Sequence, residues 1–278
     1  MLDFSQRNEL GLQAGVIAAV QAAASAMAVR PLIVGAFARD LHLVYAYGVP
    51  VLRQTEDIDF ALAVGDWTTF EQLRAALEAS GTFTATQSRH RLRHGVLPID
   101  LVPFGNLETP DRTIAWPPQG ETVMDVFGFR EAQQTAIDVL LPEGVQGQVV
   151  TLPALALLKL VCWQDRHLRS PRKDAADLQL IIANYLNAGN EPRLLWGEFE
   201  WLTQAPEYDY EPAGAHILGH DIAMLLDASG RDRIDALLRA QSNEQTIGRL
   251  PQEMNPTNPE RAAQLLAALR DGLMNAAP

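Results

Sequence analysis

Cysteine is nearly absent. Cys162 is the only one in 278 residues, so neither a disulfide within the chain nor a thiolate metal cluster can form. Nothing in the composition calls for an oxidising compartment. Basic residues are also scarce: 22 Lys and Arg face 34 Asp and Glu, a formal net charge of −12. Broad, non-specific nucleic-acid binding depends on phosphate neutralisation by Lys and Arg. The acidic balance argues against it, although a local basic groove stays compatible. Long hydrophobic runs are missing too. Residues 11–29 come nearest, but they are mostly alanine broken by Gln13, Gln21 and Ser25. Alanine favours helix and inserts poorly into membranes. Asp3 and Glu9 offset Arg7, so no basic leader precedes the run. A soluble amphipathic helix, and a cytoplasmic protein with no membrane partner, are the expectation.

Hydrophobic residues make up 47% and charged residues 20%, which is ordinary for a globular protein. Disorder, collagen and coiled coil are excluded as the main class. After the first helix, Pro31–Val34 reads as a buried strand that turns at Gly35. Residues 36–47 then carry helical spacing. Asp57–Val64 reads as a strand, Asp66 as a cap, and Trp67–Ala79 as a helix. Residues 83–93 and 96–104 read as two further strands. The order argues for an α/β or α+β domain with a mixed sheet, and we take α+β.

Residues 105–120 carry turn residues throughout and read as a long loop. A hairpin is expected from Thr135 to Leu152, across a Pro-Glu-Gly turn. From about residue 151 the pattern becomes helical. Pro153 suits a first helical position, Ser170-Pro171 starts a helix running to about Tyr185, and residues 214–227, 231–241 and 258–275 follow. The division is therefore 1–150 for a mixed-sheet domain and 151–278 for a helical one.

The chemistry concentrates in residues 33–60. Asp57 and Asp59 stand two apart on a strand, so they share one face, about 7 Å apart along it. Ile58 and Phe60 face the core. Two carboxylates so placed suit hard cations, and Mg²⁺ characteristically takes one or two carboxylates plus substrate phosphates. Paired metals clamp the attacking and leaving oxygens in phosphoryl transfer. Asp100 lies inside the apolar run Leu97–Phe104. A charge there needs a partner or a metal. If its strand neighbours that of Asp57 and Asp59, a three-carboxylate site results. Gly35 and Ala36, small residues where a strand turns into a helix, let backbone N–H groups approach a phosphate.

This small-residue turn, the D-x-D pair and the later Asp resemble the nucleotidyltransferase superfamily that includes DNA polymerase β and CCA-adding enzymes. In particular they resemble its AbiEii-like branch, nucleotidyltransferases often found as toxins of toxin–antitoxin or abortive-infection systems. The core resemblance covers about residues 30–105. It extends to Lys159 and to Arg172–Leu178, which look like the branch's Lys and Asp motifs. The resemblance implies that Asp57, Asp59 and Asp100 bind Mg²⁺ (or Mn²⁺) and that the turn at Gly35 holds the triphosphate of an NTP. It further implies a nucleotide-binding role for Lys159, Asp174 and Asp177. The expected reaction is transfer of NMP to an acceptor hydroxyl (an RNA 3′ end, a protein or a small molecule) with release of pyrophosphate. An antitoxin is the implied partner.

One departure stands out. The family has Gly-Gly or Gly-Ser at the turn, whereas this chain has Gly35-Ala36, which keeps the donor and lacks a hydroxyl. A catalytically degenerate nucleotide- or partner-binding protein is therefore the competing reading. A metal-dependent phosphohydrolase is a third, but it calls for His ligands among the carboxylates, and none is evident. No second nucleobase-reading motif of the CCA-adding type is found.

Each residue also has a plainer reading. Arg39 either contacts the nucleotide or pairs with Asp40 on the surface. Asp100 either ligates a metal or pairs with Arg91 or Arg93. Residues 89–94, the densest basic stretch, either line a groove or form a charged edge strand, and the edge strand is favoured. Lys159 either meets an anion or snorkels to the surface. Asp174 and Asp177 suit the first turns of a helix in any case. His216 and His220 have zinc spacing without the Glu of H-E-x-x-H. The aromatics of residues 196–210 are read as core packing, with base stacking as the alternative. Cys162 is read as core.

Overall fold

The structure, a computed structural model, describes residues 1–51, 55, 57–117, 120, 122–166, 172–243 and 246–276. It divides into two compact units: Met1–Leu41 with Pro50–Thr151, and His42–Val49 with Leu152–Pro278.

The first unit is built on a mixed sheet. A short strand β1 (Leu2–Asp3) precedes helix α1 (Gly11–Ser25), which stops before residue 29. The apolar run Pro31–Val34 is β2, buried throughout. The chain turns at Gly35, where φ is +71°, into α2 (Gly35–Asp40). Residues Leu41–Ala46 are π-helical. Strand β3 (Ile58–Val64) is followed by α3 (Trp67–Ala79). Asp66 caps α3 as expected, its carboxylate accepting from the Thr69 N–H at 2.7 Å.

The strand expected over residues 83–93 is broken into β4 (Phe83–Ala85) and β5 (Arg91–His94). The break has a local cause. The Thr86 hydroxyl accepts from the Ser88 N–H at 3.1 Å and donates to the Arg91 carbonyl at 2.9 Å, closing a turn. Strand β6 spans Leu97–Gly105. The stretch taken for a loop holds part of a small hairpin, β7 (Thr113–Ala115) with β8 (Val123–Asp125). Arg112 anchors it, with Nε 2.7 Å from Glu108 and Nη1 3.1 Å from Glu131. Helix α4 (Phe129–Gln134) was not expected. Strands β9 (Ile137–Leu140) and β10 (Gln146–Val149) form the expected hairpin across Pro142–Gly144.

The strand order is β1-β9-β10-β2-β3-β6-β5-β4. The pairs β1/β9, β10/β2 and β3/β6 are parallel and the other neighbours antiparallel, so the sheet is mixed. The basic strand β5 lies one place in from the edge, which β4 occupies, so the edge-strand reading of residues 89–94 is corrected. Ile58, Phe60, Leu62, Ile99, Leu101 and Phe104 are buried. Each such side chain contributes about 1.5–3 kcal/mol. A one-residue slip of β3 would exchange Ile58 and Phe60 for two carboxylates, so burial fixes the register of the acidic residues.

The second unit is helical. Helices α5 (Leu152–Arg166), α6 (Lys173–Ala183) and α7 (Glu191–Leu195) are followed by α8 (Tyr210–Leu225). Then come α9 (Ala228–Gln241), α10 (Arg249–Met254) and α11 (Pro259–Asn275). The expected helix start at Ser170-Pro171 lies outside the described residues. Helices α8 and α11 cross at backbone contact. A Cβ on Gly219 would lie 1.9 Å from the Leu269 carbonyl oxygen, and one on Gly272 would lie 1.9 Å from that of His216. No helix among the described residues is long and apolar enough to cross a membrane.

Candidate active site

Sheet register brings the acidic residues together. Val34 pairs with Asp59 across β2/β3, Asp59 with Asp100 across β3/β6, and Asp100 with Arg91 across β6/β5. Directly paired residues share a face, so Asp59, Asp100 and Arg91 form one row. Asp57 lies two residues before Asp59, on the same face. One oxygen from each of Asp57, Asp59 and Asp100 lies within 4.8 Å of the others. Among the described residues this is the one group of three acidic, His or Cys side chains so placed. Its all-oxygen donor set suits Mg²⁺ or Mn²⁺.

Gly35 closes one side of the trio. A Cβ there would lie 1.8 Å from Oδ2 of Asp59, and the positive φ adds backbone strain for any other residue. The glycine is thus explained by close approach, independent of any phosphate. Ala36 is buried at the start of α2.

Asp100 is engaged by a cation of the chain itself. Arg91 donates from Nε to Oδ1 and from Nη2 to Oδ2, both at 2.6 Å. The same Nη2 is 3.7 Å from Asp57. The Asp100 hydrogen bonds raise the Arg91 pKa above its ordinary value; burial opposes this, and the charges of Asp100, Asp57 and Asp59 add to it. Of the two sequence readings of Asp100, the ion pair is present, made by Arg91, while the same carboxylate stands in the acidic trio.

Arg39 does pair with Asp40, at 2.6 Å, but the pair is buried rather than on the surface. Thr55 also donates to Asp40, an anchor that the sequence reading missed.

Lys159, Asp174 and Asp177 meet in the second unit. Lys159 Nζ is 3.2 Å from Asp174 and 2.5 Å from Asp177. All three are buried, so Lys159 does not snorkel. Burial works to lower the Lys159 pKa, but the charges of Asp177 and Asp174 prevail and hold it above the usual value. Asp174 is held below the usual carboxylate range: Lys159 and Arg166 outweigh its burial. Arg166 binds Asp174 from Nε at 2.8 Å and Nη2 at 2.9 Å. The sequence reading did not single it out; its one signal was a basic residue in the last turn of an apolar helix.

The remaining candidates part company. His216 Nδ1 is 3.0 Å from Asp271, and His220 Nδ1 is 3.3 Å from Asp221. Asp221 is in turn bound by Tyr185 and Arg193, a network the sequence did not reveal. Cys162 is half-buried, and burial pushes its thiol up to about 11, which disfavours the thiolate. Of the aromatics read as core packing, Phe199 is buried, but Trp196, Trp201 and Tyr208 are exposed, Trp196 at 78%. The packing reading is corrected for those three.

Comparison with known proteins decides the family. The model of the family described as Nucleotidyl transferase AbiEii toxin, Type IV TA system, matches residues 33–275. The chain belongs to that family. The matched span holds the acidic trio of the first unit and the Lys159 cluster of the second. No curated protein matches. The chain is similar to a crystal structure of ANT(2″)-Ia in complex with adenylyl-2″-tobramycin, 18% identical over 61% of this chain and 87% of that one, with a TM-score of 0.37. It is also similar to a solution structure of the antibiotic-resistance factor ANT(2″)-Ia, 19% identical over 61% of this chain and 82% of that one, with a TM-score of 0.38.

Proposed function

We propose that this chain is a divalent-metal-dependent nucleotidyltransferase. It takes an NTP, transfers NMP to an acceptor hydroxyl and releases pyrophosphate. The observation that carries the reading is the convergence of Asp57, Asp59 and Asp100 beside Gly35, in a chain of the AbiEii family.

Asp57, Asp59 and Asp100 would hold Mg²⁺ or Mn²⁺. The bound ion supplies neutralisation of the triphosphate and of the charge that develops on transfer. The backbone N–H groups at Gly35 and Ala36 face the phosphates in this reading. The acceptor oxygen forms a bond to the α-phosphorus as the bond to the pyrophosphate oxygen breaks, and the hydroxyl proton passes to Asp100. Catalysis is then mainly positioning and electrostatic stabilisation. Arg39 reaches the nucleotide only by leaving Asp40. Lys159, Asp174 and Asp177 are nucleotide-binding candidates by family likeness. Their mutual burial and pairing favour a second reading for them, in which they tie α5 to α6.

The family description supports a toxin of a toxin–antitoxin pair, working in the cytoplasm and held in check by an antitoxin. The acceptor in this reading is an RNA 3′ end, a protein side chain or a small molecule. The test is incubation with each of the four α-labelled NTPs and Mg²⁺ or Mn²⁺, with total RNA and the protein itself as acceptors. Transfer that disappears in Asp57→Asn with Asp59→Asn supports the proposal. Absence of both transfer and NTP binding refutes it.

A further inference from the structure

We infer that Arg91 is the built-in counter-ion of the acidic trio, occupying it until a divalent cation enters, and that Arg91 thereby sets the trio's cation affinity. The inference rests on the metal-site reading of Asp57, Asp59 and Asp100.

Three carboxylates with oxygens within 4.8 Å repel one another strongly unless positive charge is placed among them. Arg91 supplies it. Its guanidinium forks onto both oxygens of Asp100 at 2.6 Å, the bidentate geometry in which arginine binds carboxylate most tightly. Nη2 reaches Asp57 as well, at 3.7 Å, so a single donor nitrogen addresses two carboxylates of the trio. The contact is set by the backbone, because Arg91 stands directly opposite Asp100 in the β5/β6 ladder.

A cation that takes Asp100 and Asp57 as ligands must therefore compete with the guanidinium or displace it. The way out is open: the Arg91 side chain is 37% exposed, while those of Asp57 and Asp100 are 13% and 12% exposed. Swinging Arg91 outward returns its guanidinium to water. Arg89, two positions earlier, is held by Glu71 at 2.9 Å.

The test is Mn²⁺ binding to the full chain, read by electron paramagnetic resonance without nucleotide. The proteins are wild type, Arg91→Gln, Arg91→Lys, and Asp57→Asn with Asp59→Asn. Thermal unfolding of each checks that it is folded. Removing a partly exposed bidentate counter-ion should tighten Mn²⁺ binding about tenfold in Arg91→Gln. Arg91→Lys, which keeps the charge and loses the fork, should fall between that variant and wild type, and it carries the test if Arg91→Gln does not fold. Unchanged or weaker Mn²⁺ binding in the Arg91 variants, with binding lost in the Asp57/Asp59 variant, overturns the inference and leaves the metal site standing. Mn²⁺ binding that survives in the Asp57/Asp59 variant overturns the metal site itself, and the inference with it.

Discussion

Gly35 and Asp59 specify each other: a Cβ on Gly35 would stand 1.8 Å from the Asp59 carboxylate oxygen. The turn after β2 and the acidic residue on β3 are adjacent because Val34 and Asp59 are cross-strand partners. Gly35→Ala therefore does two things. It forces a side chain into a positive-φ position, at about 1–3 kcal/mol, and it pushes Asp59 away. A displacement of about 1 Å in such a site can cost about a hundredfold in rate. The expected result is a lowered Tm together with nucleotidyl transfer reduced about a hundredfold. A variant with wild-type transfer would show that the Gly35–Asp59 approach is not part of the site.

Lys159 is expected to matter for stability whatever its part in nucleotide binding. It is buried against Asp174 and Asp177. Removing one partner of a buried ion cluster leaves uncompensated charge, at about 3–5 kcal/mol. Arg166 still covers Asp174, which moderates the loss. Lys159→Met should lower the unfolding free energy by about 3 kcal/mol, read as a fall in the urea midpoint. If Lys159 only serves substrate, the midpoint will stay put and only activity will fall.

The helical unit should lose stability in mild acid. Burial holds the His216 pKa below its ordinary value of 6.5, although Asp271 pulls the other way. A histidine with a depressed folded-state pKa takes up a proton on unfolding, so stability rises with pH across the window and is lost as pH falls below about 6.5. Chemical unfolding of wild type between pH 7.5 and pH 5.5 should show this loss. His216→Gln should flatten it. An equal pH slope in the two proteins would assign the effect elsewhere.

The acidic site was legible for two different physical reasons. Asp57 and Asp59 alternate with the core residues Ile58 and Phe60, so a period-two pattern put both on one face. Asp100 interrupts an apolar strand, and a buried charge announces a partner. The choice of Arg91 over Arg93 was not legible, since it depends on which residue of β5 stands opposite Asp100. The hairpin of β7 and β8 was hidden for a similar reason. Its strands are three residues long, lie in turn-rich sequence, and are held by Arg112 reaching Glu131, nineteen positions on. Trp196, Trp201 and Tyr208 misled because an aromatic cluster in sequence carries no information about which of its side chains face water. In the second unit, Lys159, Asp174 and Asp177 were singled out by the resemblance; that they pair with one another comes from the packing of α5 on α6. Arg166 joins them through folding alone.

The most direct test of the central claim is to follow α-labelled and γ-labelled NTP side by side in one reaction with Mg²⁺. The account predicts α-label in the acceptor, γ-label in pyrophosphate, and loss of both in Asp57→Asn with Asp59→Asn. Release of γ-label as inorganic phosphate, with no α-label transferred, would contradict it and make the acidic trio the centre of a hydrolase.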